Sequence, residues 1–225
     1  MTEIQRLLKG FQTFKTKYYG PARSVFLSLK EGQSPKSMII GCSDSRVDPA
    51  ILTGSAPGDI FVVRNVANLV PVYEENGGRH GVSAALEFAV CYLKVEHIIV
   101  LGHSGCGGIN ALMKGAYGRT GKGFISNWMS IAARARDKVL AELPDEDAQT
   151  QQRAAEKAAI IISLENLCTF PFINTGIRQG RLSLHGWYFD LQTGDLFVHN
   201  SETKAFQKLD DDANGAERTA DTSPQ

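Results

Sequence analysis

The sequence predicts an α/β protein: a mostly parallel central β-sheet flanked by helices, with a helical arm at the amino terminus. Three observations carry that prediction. Met38-Ile39-Ile40-Gly41 and His97-Ile98-Ile99-Val100-Leu101-Gly102 are short continuous apolar runs, the signature of strands buried on both faces. Stretches of helical periodicity stand between and after them. Both runs end in segments rich in ligand-type side chains, Cys42-Ser43-Asp44-Ser45-Arg46 and His103-Ser104-Gly105-Cys106-Gly107-Gly108, and open α/β sheets gather their chemistry at the carboxyl ends of strands.

In chain order, residues 2–19 read as an amphipathic helix. Its Phe11, Phe14, Tyr18 and Tyr19 form a face too apolar to remain in water. Residues 37–41 and 60–64 read as strands, 80–94 as a helix, and 97–102 as a strand. A helix over 107–115 starts at Gly107-Gly108, and two longer ones cover 125–142 and 149–167. Strands return at 181–190 and 195–199 around a Thr193-Gly194 turn. Residues 1–208 are expected to form one domain, with residues 1–30 as its arm, and the polar stretch 209–225 to be a disordered tail.

Bulk properties narrow the class. A chain of 225 residues can bury a sizeable core as a single domain. Lys+Arg and Asp+Glu number 24 each, so there is no basic field for nucleic acid or a lipid surface. No apolar stretch reaches the roughly 18 residues of a membrane span, and residues 1–10 lack the apolar centre of a secretion signal. The expected setting is cytoplasmic. It suits Cys42 and Cys106, which must stay reduced to bind metal, and leaves Cys91 and Cys168 as buried or spare thiols in helical patterns.

The chemistry lies in the two strand-end segments. Cys42, His103 and Cys106 offer two thiols and an imidazole, with Asp44 adding a carboxylate. Zinc takes such ligands in a tetrahedron, and a catalytic site keeps one place for water. His103 and Cys106 are three residues apart with Gly105 between them, which permits a tight turn that aims both at one ion. Cys42 alone would read as a buried small apolar residue. Beside His103 and Cys106 that reading weakens, because the glycines and both strand ends would then need separate explanations. Arg46, two residues beyond Asp44, can hold that carboxylate as an acceptor for metal-bound water, whereas the plainer alternative is a solvated surface arginine.

With those motifs in hand, the chain resembles a β-class carbonic anhydrase of the plant and bacterial type. The match runs from Gln33-Ser34-Pro35-Lys36 through CSDSRVDP, Gly58 to Asn68, Gly81 to Val95 and HSGCGG to Leu184-His185-Gly186-Trp187. The resemblance implies that Cys42, His103 and Cys106 bind Zn2+. It also implies that Asp44 alternates between the fourth metal position and Arg46, and that zinc-bound hydroxide converts carbon dioxide reversibly to bicarbonate and a proton. Gln33, Phe61, Val66, Phe88 and Gly107 form the expected substrate-binding set, with Gln33 donating to a substrate oxygen. Phe88 stands where plant members usually have Tyr, so one pocket hydroxyl is missing. A second subgroup binds inhibitory bicarbonate with a Trp before the first motif; this chain has Ile39 there, although Arg64 is present. The family also wraps its amino-terminal arm over a second subunit, which implies a homodimer or a dimer-based tetramer.

Two thiolates cancel the formal charge of zinc. Its water should then ionise about one pKa unit higher than beside three imidazoles, equivalent to about 1.4 kcal/mol, and activity should rise above neutral pH. Two other functions fit the same residues: hydrolysis of carbonyl sulfide or carbon disulfide on this fold, and a non-enzymatic zinc module with Asp44 as permanent fourth ligand. The remaining histidines, His80, His97, His185 and His199, lack ligand spacing to the zinc set. His80, in a Gly-rich loop, is the best of them as a proton shuttle.

Overall fold

The computed structural model describes residues 1–19, 25–75, 78–116 and 123–210. Its centre is a six-stranded sheet in the order β2-β1-β3-β4-β5-β6, built from β1 (Ser37–Cys42), β2 (Ile60–Asn65), β3 (His97–His103), β4 (Ser183–Phe189), β5 (Leu196–Asn200) and β6 (Ala205–Lys208). The first four strands in that order run parallel, and β5 and β6 add antiparallel. The β-rich apolar runs take the middle places because these are covered on both faces. Met38, Ile39, Ile40, Ile98 and Val100 are at most 1% exposed.

Alternation along the strands separates two faces. Met38, Ile40, Ile98 and Val100 join one cluster with Ile160, Leu167 and Phe170, while Ile39, Ile99 and Leu101 meet Ile60, Trp187 and Leu196 on the other. The helices are, in chain order, α1 (Glu3–Tyr19), α2 (Val25–Leu29), α3 (Pro49–Thr53), α4 (Gly81–Glu87), α5 (Gly107–Met113), α6 (Phe124–Met129), α7 (Ala133–Glu142), α8 (Ala148–Leu167) and α9 (Pro171–Arg178), and α8 packs against β3 and β4. Among the described residues, no single helix is long and apolar enough to cross a membrane.

Several elements depart from the sequence reading. The segment read as one helix over 80–94 is α4 followed by a π-helical turn, Phe88–Leu93, and it stops at Lys94 in the left-handed region (φ 58°). The segment read as a helix over 125–142 is α6 and α7 with a 3-10 turn, Ser130–Ala132, between them. The short helices α2 and α3, the helix α9 and the edge strand β6 had no counterpart in the sequence reading. A five-residue helix such as α3 is too short to show periodicity and is specified by its ends: Asp48 accepts from the Ala50 and Ile51 N–H groups, Pro49 opens the helix, and Gly54 closes it at φ 64°. The tail expected over 209–225 lies outside the described residues from 211 onward.

The arm has no buried residue within one chain. Phe14 and Tyr18 turn toward Phe26, with ring centroids 5.3 and 5.8 Å away, while Ile4, Leu7, Leu8 and Phe11 are each more than half exposed.

Candidate metal centre

Strands β1 and β3 are hydrogen-bonded neighbours with Gly41 level with Leu101, so Cys42 and His103 emerge side by side at their carboxyl ends. The chain then turns at Gly105, whose φ of +68° suits glycine, and brings Cys106 back to the same place at the start of α5. The ligand atoms of Cys42, His103 and Cys106 lie within 4.8 Å of one another, and all three residues are buried. Cys42 and His103 are 61 positions apart in sequence; parallel pairing removes that distance.

His103 carries the cluster's unpartnered donor atom. Its Nδ1 donates to the Ser104 carbonyl at 3.0 Å, which leaves Nε2 as the lone-pair nitrogen. Nε2 is buried and has no hydrogen-bond partner, the single such side-chain atom among the described residues. A buried polar atom left unpaired costs on the order of 1–3 kcal/mol, and a soft divalent cation among two thiols and this nitrogen removes the deficit. The donor set therefore fits zinc, with Cys42, His103 and Cys106 as the residues that would hold it.

The electrostatics agree. The neighbouring Cys106 thiol, acting as a hydrogen-bond donor, pulls the Cys42 thiol down to about 4 against the opposing effect of burial. The negative charge at Cys42, together with burial, pushes Cys106 upward. Without a cation the pair thus shares one negative charge; a dication would stabilise both as thiolates. Burial lowers the basicity of His103, but attraction to Cys42 more than offsets it and the net shift is upward.

Asp44 stands at the mouth of the cluster, its Oδ2 3.9 Å from His103 Nε2. It is gripped by Arg46: Nε donates to Oδ1 at 2.9 Å, Nη2 to Oδ2 at 2.7 Å, and the Arg46 backbone N–H to Oδ1 at 3.0 Å. This fork holds the Asp44 carboxyl well below the usual carboxylate range. Arg46 Nη2 also reaches the Gly105 carbonyl at 3.2 Å, tying the two strand-end segments together.

Two residues that the sequence reading gave no role in positioning the site hold it from behind. Arg64, on β2, donates to the carbonyls of Cys42 (2.9 Å) and Asp44 (2.6 Å) and to the Asp48 carboxylate (3.0 Å), fixing the segment that carries Asp44. Glu156, on α8, accepts the Cys106 backbone N–H at 2.9 Å. A signal for Glu156 was present: it shares the helical spacing of Ala155, Ala159, Ile160 and Ser163, the buried stripe of α8.

The substrate-facing set is not gathered as one group. Val66 and Gly107 lie beside the cluster: Val66 follows Asn65, which is level with Cys42, its Cγ1 lies within 2.9 Å of where a Cβ on Gly108 would stand, and its carbonyl accepts from Trp128 Nε1. Phe61 pairs with Met38, four residues upstream of Cys42, which is about 13 Å along the strand. Phe88 packs on Phe61 with centroids 5.9 Å apart and stacks on Tyr92 at 5.6 Å. Gln33 is exposed ahead of β1, at the same far end. Ile39 is buried within β1. Cys91 is half-buried, whereas Cys168 is exposed and so not a core thiol. His80 Nε2 lies 3.4 Å from Glu74 Oε2.

A family model described as carbonic anhydrase matches residues 37–196. The chain belongs to the β-carbonic anhydrase family. It is 44% identical over 180 residues to the chloroplastic β-carbonic anhydrase 5 of Arabidopsis thaliana, which covers 80% of this chain and 59% of that protein, so it spans somewhat under two thirds of the plant relative. Among solved structures, the β-carbonic anhydrase CcaA superposes with a TM-score of 0.85 at 33% identity over 92% of each chain. One of the tetrameric β-carbonic anhydrases of Sordaria macrospora superposes at 0.73, 30% identical over 87% of this chain and 94% of its own. The family's central sheet flanked by helices is the architecture described above, parallel through its core strands.

Proposed function

We propose that this protein catalyses the reversible hydration of carbon dioxide, CO2 + H2O giving HCO3− and H+, at a zinc ion held by Cys42, His103 and Cys106. The observation that carries the reading is the buried, unpartnered Nε2 of His103 between two thiols, with Asp44 beside it and turned to Arg46. Bound there, zinc supplies the Lewis acidity that brings the ionisation of water toward neutral pH and so provides a nucleophile for carbon dioxide.

The chain's own residues do the rest. Ser104 fixes the His103 tautomer through Nδ1. Arg46 keeps the Asp44 carboxylate off the fourth metal position and leaves it as a hydrogen-bond acceptor at the reacting face. A permanent fourth ligand would need no such restraint, so the Arg46 fork favours an enzyme over a purely structural zinc module. Val66 and the Gly107 backbone supply the nearby apolar and close-approach surface for a small linear substrate.

Gln33, Phe61 and Phe88 stand at the far end of β1 and β2 from their own chain's cluster, and Phe88, Tyr92 and Val62 leave an apolar surface there. We assign these residues to the pocket of a second copy, in a homodimer or dimer-based tetramer sealed by the arm. The tetrameric relatives and the uncovered apolar face of α1 support that assembly. The proposal places the protein in a reducing cytoplasm, where Cys42 and Cys106 remain thiols.

The test is a stopped-flow hydration assay with zinc measured on the same sample. About one zinc per chain and a rate that climbs between about pH 7 and 9 are expected, because two thiolates make the metal a weaker acid than three imidazoles would. A fully zinc-loaded protein with no hydration above the uncatalysed rate at about pH 8.5 would overturn the reading.

A further inference from the structure

Glu156 is 2% exposed, yet no lysine or arginine pairs with it among the described residues. A carboxylate in that position is costly, and side chains that break the burial rule are retained chiefly where a site needs them. Its partners show which site. Oε1 accepts from the backbone N–H of Cys106 at 2.9 Å and from Gln152 Nε2 at 2.8 Å, and Oε2 accepts from the hydroxyl of Tyr188 at 2.9 Å. Tyr188, on β4, is itself 2% exposed, so both ends of the chain of bonds are anchored in the core. Gln152 is held in turn by Asn110 of α5.

The arrangement spans the elements that meet at the metal centre. Glu156 and Gln152 come from α8, Tyr188 from β4, and Cys106 from the turn between β3 and α5. The Cys106 N–H thus ties the turn that carries this ligand to a side chain 50 residues further along the chain. Cys106 also stands at the amino-terminal boundary of a seven-residue helix, where its N–H has no partner within the helix and Glu156 supplies the acceptor.

We propose that Glu156 is a positioning residue for the metal centre: through its bond to the Cys106 N–H it fixes the direction of the Cys106 sulfur, and Tyr188 and Gln152 fix Glu156. The inference rests on the reading that Cys42, His103 and Cys106 hold zinc, and it concerns geometry rather than charge. A glutamine at 156 can keep its carbonyl oxygen toward Cys106 and Gln152 while its amide donates to the Tyr188 oxygen, which then accepts. Glu156→Gln therefore preserves the clamp. Glu156→Asp keeps the charge but falls one methylene short of Cys106. Glu156→Leu keeps the volume and leaves the N–H unpaired.

The experiment uses the full chain, with zinc affinity read by competition with a chromophoric chelator and the cobalt(II) form read by its thiolate charge-transfer absorption. Circular dichroism and thermal melting monitor the fold. Glu156→Gln should stay within about threefold of the unmodified protein in zinc affinity and keep its cobalt spectrum. Glu156→Asp and Glu156→Leu should weaken zinc by about 10–100-fold and shift or weaken the cobalt band, the usual range for losing a group that orients a ligand. Should the Leu variant fail to fold, the Asp variant carries the comparison. Unchanged affinity and spectrum in a folded Asp or Leu variant would overturn the positioning role alone, as would a Gln variant as impaired as Asp. Failure of the unmodified protein to take up zinc or cobalt would overturn both this inference and the zinc reading beneath it.

Discussion

Asp44 and Arg46 are separated by a single residue, and their geometry turns the carboxylate toward the guanidinium. With two charge-assisted bonds of 2.7 and 2.9 Å, Arg46 competes directly with any cation for the carboxylate. With the fork removed, the Asp44 carboxylate, whose Oδ2 already lies 3.9 Å from His103 Nε2, would be free to approach an ion held by Cys42, His103 and Cys106. Arg46→Ala should accordingly retain close to full zinc while hydration falls by about 10–100-fold. Metal analysis and stopped-flow assay on one preparation check this. Near-normal turnover would mean that Arg64, which bonds the Asp44 carbonyl at 2.6 Å, suffices to hold the segment away.

At the scale of elements, the two glycines that open α5 have different jobs. A Cβ on Gly107 meets nothing within 4 Å, whereas one on Gly108 would lie 2.9 Å from Val66 Cγ1 and 3.2 Å from Ala67 Cβ. Ala67 has little room to give: it is fully buried and held at φ 63°, in a turn that the Asn65 side chain closes by bonding both the N–H and the carbonyl of Leu69. Gly107→Ala should leave stability unchanged or raise it by up to about 1 kcal/mol. Gly108→Ala should cost about 1–3 kcal/mol through overpacking. Urea denaturation of the two variants, with the metal removed from both, separates backbone packing from metal binding.

For the whole molecule, the uncovered face of α1 and the acid response of the sheet are the properties to test. Leu7 and Phe11 are 53% and 59% exposed, so Leu7→Glu with Phe11→Glu leaves the buried core of the single chain intact and gives up only the Phe11–Phe14 ring contact within the arm. The double variant should fold yet sediment as a smaller species than the unmodified protein. An unchanged sedimentation coefficient would take the arm out of the assembly. At the end of the sheet opposite the metal centre, His185 Nε2 lies 3.3 Å from His97 Nδ1. Burial first, and the neighbouring His97 second, hold the His185 imidazole below its ordinary value of 6.5. Since the unfolded chain binds that proton more readily than the native one, the contribution is intact above about pH 6.5 and is lost as pH falls through the lowered native value. Thermal melting between about pH 7 and 5 should therefore show a steeper loss for the unmodified protein than for His185→Gln; parallel curves would exclude this pair as the cause.

Sequence alone determined the class of sheet, the three candidate metal ligands and the Asp44/Arg46 pair, because each is written in local terms. Unbroken runs such as Ile98 to Leu101 report burial on both faces, and His103-x-x-Cys106 across a glycine reports a turn of fixed size. Short or edge elements escaped it: α3 is specified by a cap rather than by periodicity, and β6 is mostly exposed, so neither bears the apolar rhythm that makes longer elements legible. Only the tertiary structure decided that Phe61 stands about 13 Å along the strand from its own cluster, with Phe88 packed on it, since strand register is a property of pairing and not of either strand alone. It also decided that Arg64 and Glu156 hold Cys42 and Cys106 from behind. Those contacts join residues 22 and 50 positions apart. A hydrogen bond depends on ångström-scale placement that composition and spacing do not carry, and the packing of α8 on the sheet supplies it.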